Sequence, residues 1–327
     1  MTPADPTPLP PAVRWIDPIW PLESAFATTR RILFSPFQLS RWLLLGFMAW
    51  LSQLTHFGIT GLQTQASRTE SKLGPIRWDV SSRFASDLVE WFEQVLSTVR
   101  DHWIWMVPLL AFLGVLALTV WVALIWLNSR GDLVFVAGVT RNETGLSSPW
   151  HEFAREANSL FRFRLVLGLL QALLMVAFAG MMLLGGLRYM TLFDIELLML
   201  LTPMGLGTLF LLLVGWLTTE FAVPIQFTRR CGCRKAWGVL GAQMIRFPTS
   251  FLLYLLVQIP LAIVTVLAVV LFAVLTCGAC CLLLVPFVHV VILLPVYVLH
   301  RAYPLHFLAQ FGSGWDAFAT GGSQPGH

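Results

Sequence analysis

The sequence predicts an all-α, polytopic membrane protein with six transmembrane helices and further amphipathic helices lying in the membrane interface. Three observations carry this. Apolar residues make up 57% of the 327 positions and charged residues only 12%, whereas soluble domains are about a quarter charged. So little charge cannot coat a globule in water. Apolar runs long enough to cross a hydrocarbon core of about 30 Å recur six times. The basic residues are distributed as the positive-inside rule requires.

Taken in order, "MTPADPTPLPPAV" is proline-rich and lacks the apolar stretch of a signal peptide. Residues 1–20 are therefore read as a disordered or polyproline arm. Residues 21–311 form one membrane domain with spans near 41–62, 103–127, 165–187, 197–219, 250–275 and 280–300. Trp105 and Trp126 bracket the second span at roughly 32 Å, as an aromatic belt would. Between the first two spans, 63–102 forms an outer loop. Within it, Phe84, Leu88, Trp91, Phe92, Val95, Leu96 and Val99 share one helical face. That helix either lies on the outer leaflet and caps the bundle or docks a partner. Residues 312–327 read as a flexible tail.

With both termini inside, the segments around Arg14–Arg41, Arg130–Arg164, Arg229–Arg246 and Arg301 hold fifteen of the 21 basic residues. The outer segments hold six, five of them in the 63–102 loop beside six acidic residues. The bias predicts cytoplasmic termini in a cell (inner) membrane. A net charge of +4 gives no reason to invoke nucleic acid.

A threefold pattern runs through the spans. "SAFATTRRILFSPF", "HEFAREANSLFRF" and "KAWGVLGAQMIRFP" each precede an odd-numbered span. Each sets an aromatic residue (Phe26, Phe153, Trp237) seven and eight positions before an apolar pair, one face of an interfacial helix. Each even-numbered span ends in a polar break and then resumes apolar residues: "WLNSRGDLVFVAG", "WLTTEFAVPIQF" and "VLHRAYPLHFLAQF". The unit is a helical hairpin preceded by an interfacial helix, and the sequence suggests three pseudo-repeats of it.

Five cysteines raise the question of a metal site. Cys231 and Cys233 fall in a cytoplasmic loop, while Cys277, Cys280 and Cys281 fall at the outer end of the last two spans. A bilayer separates the groups, so they cannot share an ion, and a lone C-x-x-C lacks four ligands. No metal and no cofactor is expected. The cysteines read as small packing residues, with a disulfide from Cys277 to Cys280 or Cys281 left open.

"LFSPFQLSRWLLLGFMAWL", "FAVPIQFTRRCGCRKAW" and "LLPVYVLHRAYPLHFLAQFG" resemble an uncharacterised family of bacterial six-helix integral membrane proteins, a domain of unknown function, over roughly residues 20–315. More distantly, the layout is similar to the membrane domain attached to some glycerophosphodiester phosphodiesterases. The resemblance implies a fold and no activity. No segment here reads as the phosphodiesterase's catalytic barrel, so no catalytic residue carries over.

Charged groups near membrane depth are the functional candidates. The polar breaks supply Asn128, Arg130 and Asp132, then Thr218 and Glu220, then His300, Arg301 and Tyr303, with Ser129 and Thr219 beside them. If the units pack around one axis, these groups meet at the inner mouth of the bundle. There they would recognise a lipid headgroup or small anion, or Glu220 would merely pair with Arg130 or Arg301. Pro203, Pro224, Pro260, Pro286 and Pro295 interrupt the spans or their ends and free carbonyls that neighbours must satisfy. No G-x-S-x-G, H-E-x-x-H or Walker pattern is present, so an enzyme is not expected. Two functional classes remain. One is a non-catalytic scaffold, regulator or envelope-assembly component. The other is a transporter or lipid-handling permease using the polar cluster. Membrane lipids are the expected partners, with a membrane protein partner or a second copy also possible. A buried, fully paired cluster favours the first class, and an accessible one the second.

Overall fold

The computed structural model describes residues 19–35, 37–54, 103–141, 147–188, 195–275 and 286–322, with positions 90, 94, 97 and 145. Residues 1–18, most of the 63–102 loop, and Cys277, Cys280 and Cys281 lie outside the described residues, as does the side chain of His289. Among the described residues all regular structure is helical: α1 (Trp20–Phe34), α2 (Leu39–Gln53), α3 (Trp103–Arg141), α4 (Ser147–Glu152), α5 (Ala154–Arg188), α6 (Ile195–Leu217), a π-helical turn (Thr218–Ala222), α7 (Val223–Arg229), α8 (Cys233–Arg246), α9 (Pro248–Leu275), α10 (Pro286–Ile292), α11 (Leu294–Ala309), a 3₁₀ turn (Ser313–Trp315) and α12 (Ala317–Gly322).

Four of these stretches are long and apolar enough to cross a membrane: Ile104–Arg141, Ala154–Met181, Thr202–Arg229 and Pro248–Leu271. They match the second to fifth expected spans. For the first, the described part of α2 covers 15 residues, about 22 Å. For the sixth, α10 and α11 meet at a break at Leu293.

The polar breaks differ from the sequence expectation. α3 does not break at Asn128–Asp132 but runs on as helix to Arg141, about 58 Å in all, nearly twice the hydrocarbon thickness. Its first half is exposed and apolar, including Phe112, Val115 and Leu118, as a lipid-facing surface must be. Its second half is buried: Leu133, Val134, Phe135, Val136, Ala137 and Val139 are sealed in the protein. The same holds after the other two breaks. Phe221, Ala222, Val223, Ile225 and Phe227 join this core, and so do Ala302, Tyr303, Leu305, Phe307 and Leu308. The resumed apolar stretches thus turn to one another. They form a packed layer at one end of the long helices, with the polar residues at its boundary.

An aromatic column ties that layer together. Tyr254 of α9 stacks on Tyr303 at 4.7 Å, and Phe307 packs against Phe221, Phe251 and Phe311. α1 packs its Ala25, Thr29, Ile32 and Leu33 face inward, and Thr28 Oγ1 hydrogen-bonds His306 Nε2 of α11 at 2.9 Å. α8 buries Cys233, Ala236 and Leu240, spaced at helical intervals. The second amphipathic segment is not a separate helix, because α5 carries residues from Ala154 straight into the span.

The structure bears on two further expectations. Beyond 312, where a flexible tail is expected, Trp315 and Ala317 are buried and α12 extends to Gly322. The apolar residues of "WDAFA" give it a face to bury, and Arg229 lies 4.2 Å over the Trp315 ring. Of the five prolines expected to interrupt the spans or their ends, Pro224 directly follows the π turn and Pro295 opens α11 just after the break at Leu293. Pro203 and Pro260 lie inside α6 and α9.

Candidate functional site

Where α3 leaves its apolar half, Asn128 and Asp132 stand four residues apart, on one face of the helix. Asp132 is the single acid of α3 and its side chain is 1% exposed. Two arginines from other helices close on it. Arg164 of α5 donates through Nη2 to Oδ2, and Arg301 of α11 donates through Nη2 to Oδ1. Arg164 also donates to Asn128 Oδ1 at 2.6 Å and to Thr219 Oγ1 at 2.9 Å. Arg301 donates from Nη1 to the Thr219 carbonyl at 2.9 Å. Asn128 Nδ2 donates to the Ser52 carbonyl of α2 at 2.7 Å. Five separate stretches of chain therefore meet in one network around this carboxylate.

The π turn explains why the Thr219 carbonyl is available. Pro224 has no N–H to offer Glu220 four residues back, and its ring clashes with a carbonyl there. The chain widens by one residue, so that Val223 N–H donates to the Thr218 carbonyl instead of to Thr219. The donor five residues beyond Thr219 would be Pro224, which has none. Arg301 takes the acceptor left over.

Close packing fixes Asn128 in place. A Cβ on Gly131 would come within 2.6 Å of the Leu51 carbonyl carbon and 2.8 Å of Ser52 N. Only glycine lets α3 approach the α2 backbone so closely.

The remaining sequence candidates lie around this network, not in it. Arg130 is two residues from both Asn128 and Asp132, hence on the far side of α3. It donates to the Trp150 carbonyl at 3.2 Å and sits between the Trp126 and Trp150 rings. Thr218 turns to α8 and accepts from Trp237 Nε1 at 3.2 Å. Glu220 pairs with neither Arg130 nor Arg301 directly. Its Oε2 accepts from Tyr254 OH at 3.2 Å, which in turn accepts from Gln258 Nε2 at 2.9 Å. His300 contacts its own helix through Nδ1 and the Val296 carbonyl at 3.0 Å. Tyr303 stacks on Tyr254. Arg164 lies outside the expected cluster, whereas Thr219 stands beside its named members. In sequence Arg164 reads as one more basic residue of the Arg130–Arg164 segment. The signal for it was present, since an acid alone on an apolar helix needs a cation from elsewhere.

A second ionic patch lies nearby. Glu152 receives Arg141 through both guanidinium nitrogens, at 2.6 and 2.8 Å, and also pairs with Arg230. Arg230 holds a left-handed backbone conformation at φ 48°, a strained choice for a side-chain-bearing residue. Its guanidinium lies 3.9 Å over Phe153.

Cys231 and Cys233 are free thiols. Cys233 is buried, its backbone N–H donates to Ser159 Oγ at 2.9 Å, and burial pushes its thiol up to about 12. Such a thiol stays protonated at neutral pH and is a poor nucleophile. Among the described residues no three His, Cys, Asp or Glu side chains cluster as a metal site would require.

No curated protein matches the chain, and no solved structure matches it. Residues 16–316 match the family of unknown function DUF7544, and the chain belongs to that family.

Proposed function

We propose that this chain is a non-catalytic integral membrane protein, a scaffold, regulator or envelope-assembly component, in which the Asp132 network is an architectural clasp. The observation that carries this reading is the saturation of Asp132. Both its oxygens are taken by arginines, and those arginines are themselves held by Asn128 and Thr219. A recognition site for an anion would keep donors free for it. Here the donors are spent on the protein's own carboxylate and carbonyl.

The same proposal includes six spans with both termini in the cytoplasm, α2 and α10–α11 supplying the first and last. It also includes the threefold hairpin pattern, bacterial origin, and the distant kinship with the phosphodiesterase membrane domain. The positive-inside bias supports the orientation. Cysteines introduced in the 63–102 loop should label from outside in intact cells, and labelling at 142–148 instead would invert the topology.

The test of the clasp uses water-soluble anions: inorganic phosphate, glycerol 3-phosphate and phosphocholine. None is expected to raise the Tm of the detergent-solubilised protein. A rise of several degrees that Glu220→Gln abolishes would favour the transporter or lipid-handling reading, because a ligand bound to the native state stabilises it by mass action.

A further inference from the structure

Outside the network, two helices present a surface that the packed layer does not use. α1 turns Trp20, Phe26, Arg30, Arg31 and Phe34 outward, with Phe26 65% exposed. α8 turns Arg234, Lys235, Ile245 and Arg246 outward, with Ile245 84% exposed. Both helices lead directly into apolar segments. α8 ends at Arg246, and the candidate span Pro248–Leu271 begins two residues on. α1 ends at Phe34, and α2 begins at Leu39 beyond the exposed Phe37. Continuity with the spans places both helices at the depth where headgroups lie.

The charge on these faces is one-sided. Glu23 is the one acidic residue of α1, and the sequence holds none between Glu220 and Asp316. Arg30, Arg31, Arg234 and Lys235 make no ion pair with any described residue. Four unneutralised cations, interleaved with exposed aromatic and aliphatic groups, need anions and hydrocarbon at the same level. That is the composition of an interfacial helix on an anionic leaflet.

We infer that the outward faces of α1 and α8 together bind anionic phospholipid headgroups of the adjoining leaflet, and that this selects the lipids around the protein. The inference rests on the membrane reading above. Each basic residue near an anionic surface contributes about fivefold in affinity.

The test purifies the full chain from dodecyl maltoside micelles holding equal amounts of phosphatidylglycerol and phosphatidylcholine. Retained lipids are then counted by mass spectrometry. Wild type is expected to keep at least fivefold more phosphatidylglycerol. The variant Arg30→Gln/Arg31→Gln/Arg234→Gln/Lys235→Gln should fall to the ratio of the micelle, while Glu220→Gln keeps the enrichment. In 0.5 M NaCl the wild type itself should lose it, since screening shortens the reach of exposed charges to a few ångströms; this arm needs no altered chain. An even ratio in wild type, enrichment surviving in the quadruple variant, or enrichment lost in Glu220→Gln alone would each overturn the inference. Carbonate washing of membranes tests the underlying reading separately: release of the chain into the supernatant would refute membrane insertion itself.

Discussion

Replacing Asp132 with asparagine removes one negative charge and leaves two guanidiniums facing each other across a neutral amide. The side chains of Arg301 and Arg164 are 7% and 13% exposed, so water can do little for either. Breaking a buried ion pair from one side costs about 3–5 kcal/mol. Two stranded cations put the expected loss at the upper end. Arg164 keeps Asn128 and Thr219, and Arg301 keeps the Thr219 carbonyl; these bonds, each worth about 1.5–3 kcal/mol to a charged donor, stop the loss from doubling. The expected cost is therefore about 4–5 kcal/mol. Arg301→Gln alone should cost about 3 kcal/mol. In the double variant a single cation is left stranded, so its loss should fall short of the sum of the singles by at least 2 kcal/mol. Unfolding of the four proteins in one detergent, followed by circular dichroism, completes the cycle. A loss below about 1 kcal/mol for Asp132→Asn, or strict additivity, would refute the clasp.

Three further expectations follow from single contacts. Gly131→Ala should cost about 1–3 kcal/mol, because the new methyl meets backbone atoms of α2 that cannot rotate away; Gly114→Ala, with open space around it, is the control and should be neutral in the same unfolding assay. Gln226 is fully buried and neither end of its amide has a hydrogen-bond partner among the described residues, so Gln226→Leu should stabilise by about 1–2 kcal/mol, and a lower Tm would contradict this. Burial at the α1–α11 contact lowers His306 to about 4, with Asp316 opposing. The unfolded state therefore takes up a proton near pH 6.5 that the native state refuses until about pH 4. Stability should be flat above pH 7 and fall as pH drops through that window, by roughly 1–2 kcal/mol given partial exposure; His306→Gln should flatten the slope.

Much of this was legible in sequence, and the limits are instructive. The second to fifth span positions could be read because a long apolar run needs no tertiary partner to declare itself. The chemistry of the polar breaks could be read because charge beside an apolar run is costly unless paired. What periodicity could not supply was direction. Arg130 and Asp132 are neighbours in sequence but point to opposite sides of α3, so only one of them enters the network. Arg164 enters it from a helix whose own pattern marked it as a flank. The short helix after 312 was not legible because "WDAFATGG" has a short apolar face between glycines, too short for a periodic signal. There Arg229 lies over the ring of Trp315.

The three stretches that follow the polar breaks carry on the apolar character of the long helices, but they pack differently. A lipid-facing helix exposes its apolar side chains, as Phe112 and Val115 do, whereas Leu133 to Val139, Phe221 to Phe227 and Ala302 to Leu308 face one another. Three apolar segments meeting beyond the polar breaks require their boundary polar groups to meet as well, since each lies within a turn along its helix. Convergence of charge is then a consequence of core packing, and the sequence must neutralise it. Asp132 supplies the countercharge. Pro224, by forcing the π turn, supplies the free carbonyl that accepts Arg301's other nitrogen. A proline that reads as a defect in a span is, in this fold, the residue that lets a buried arginine be satisfied.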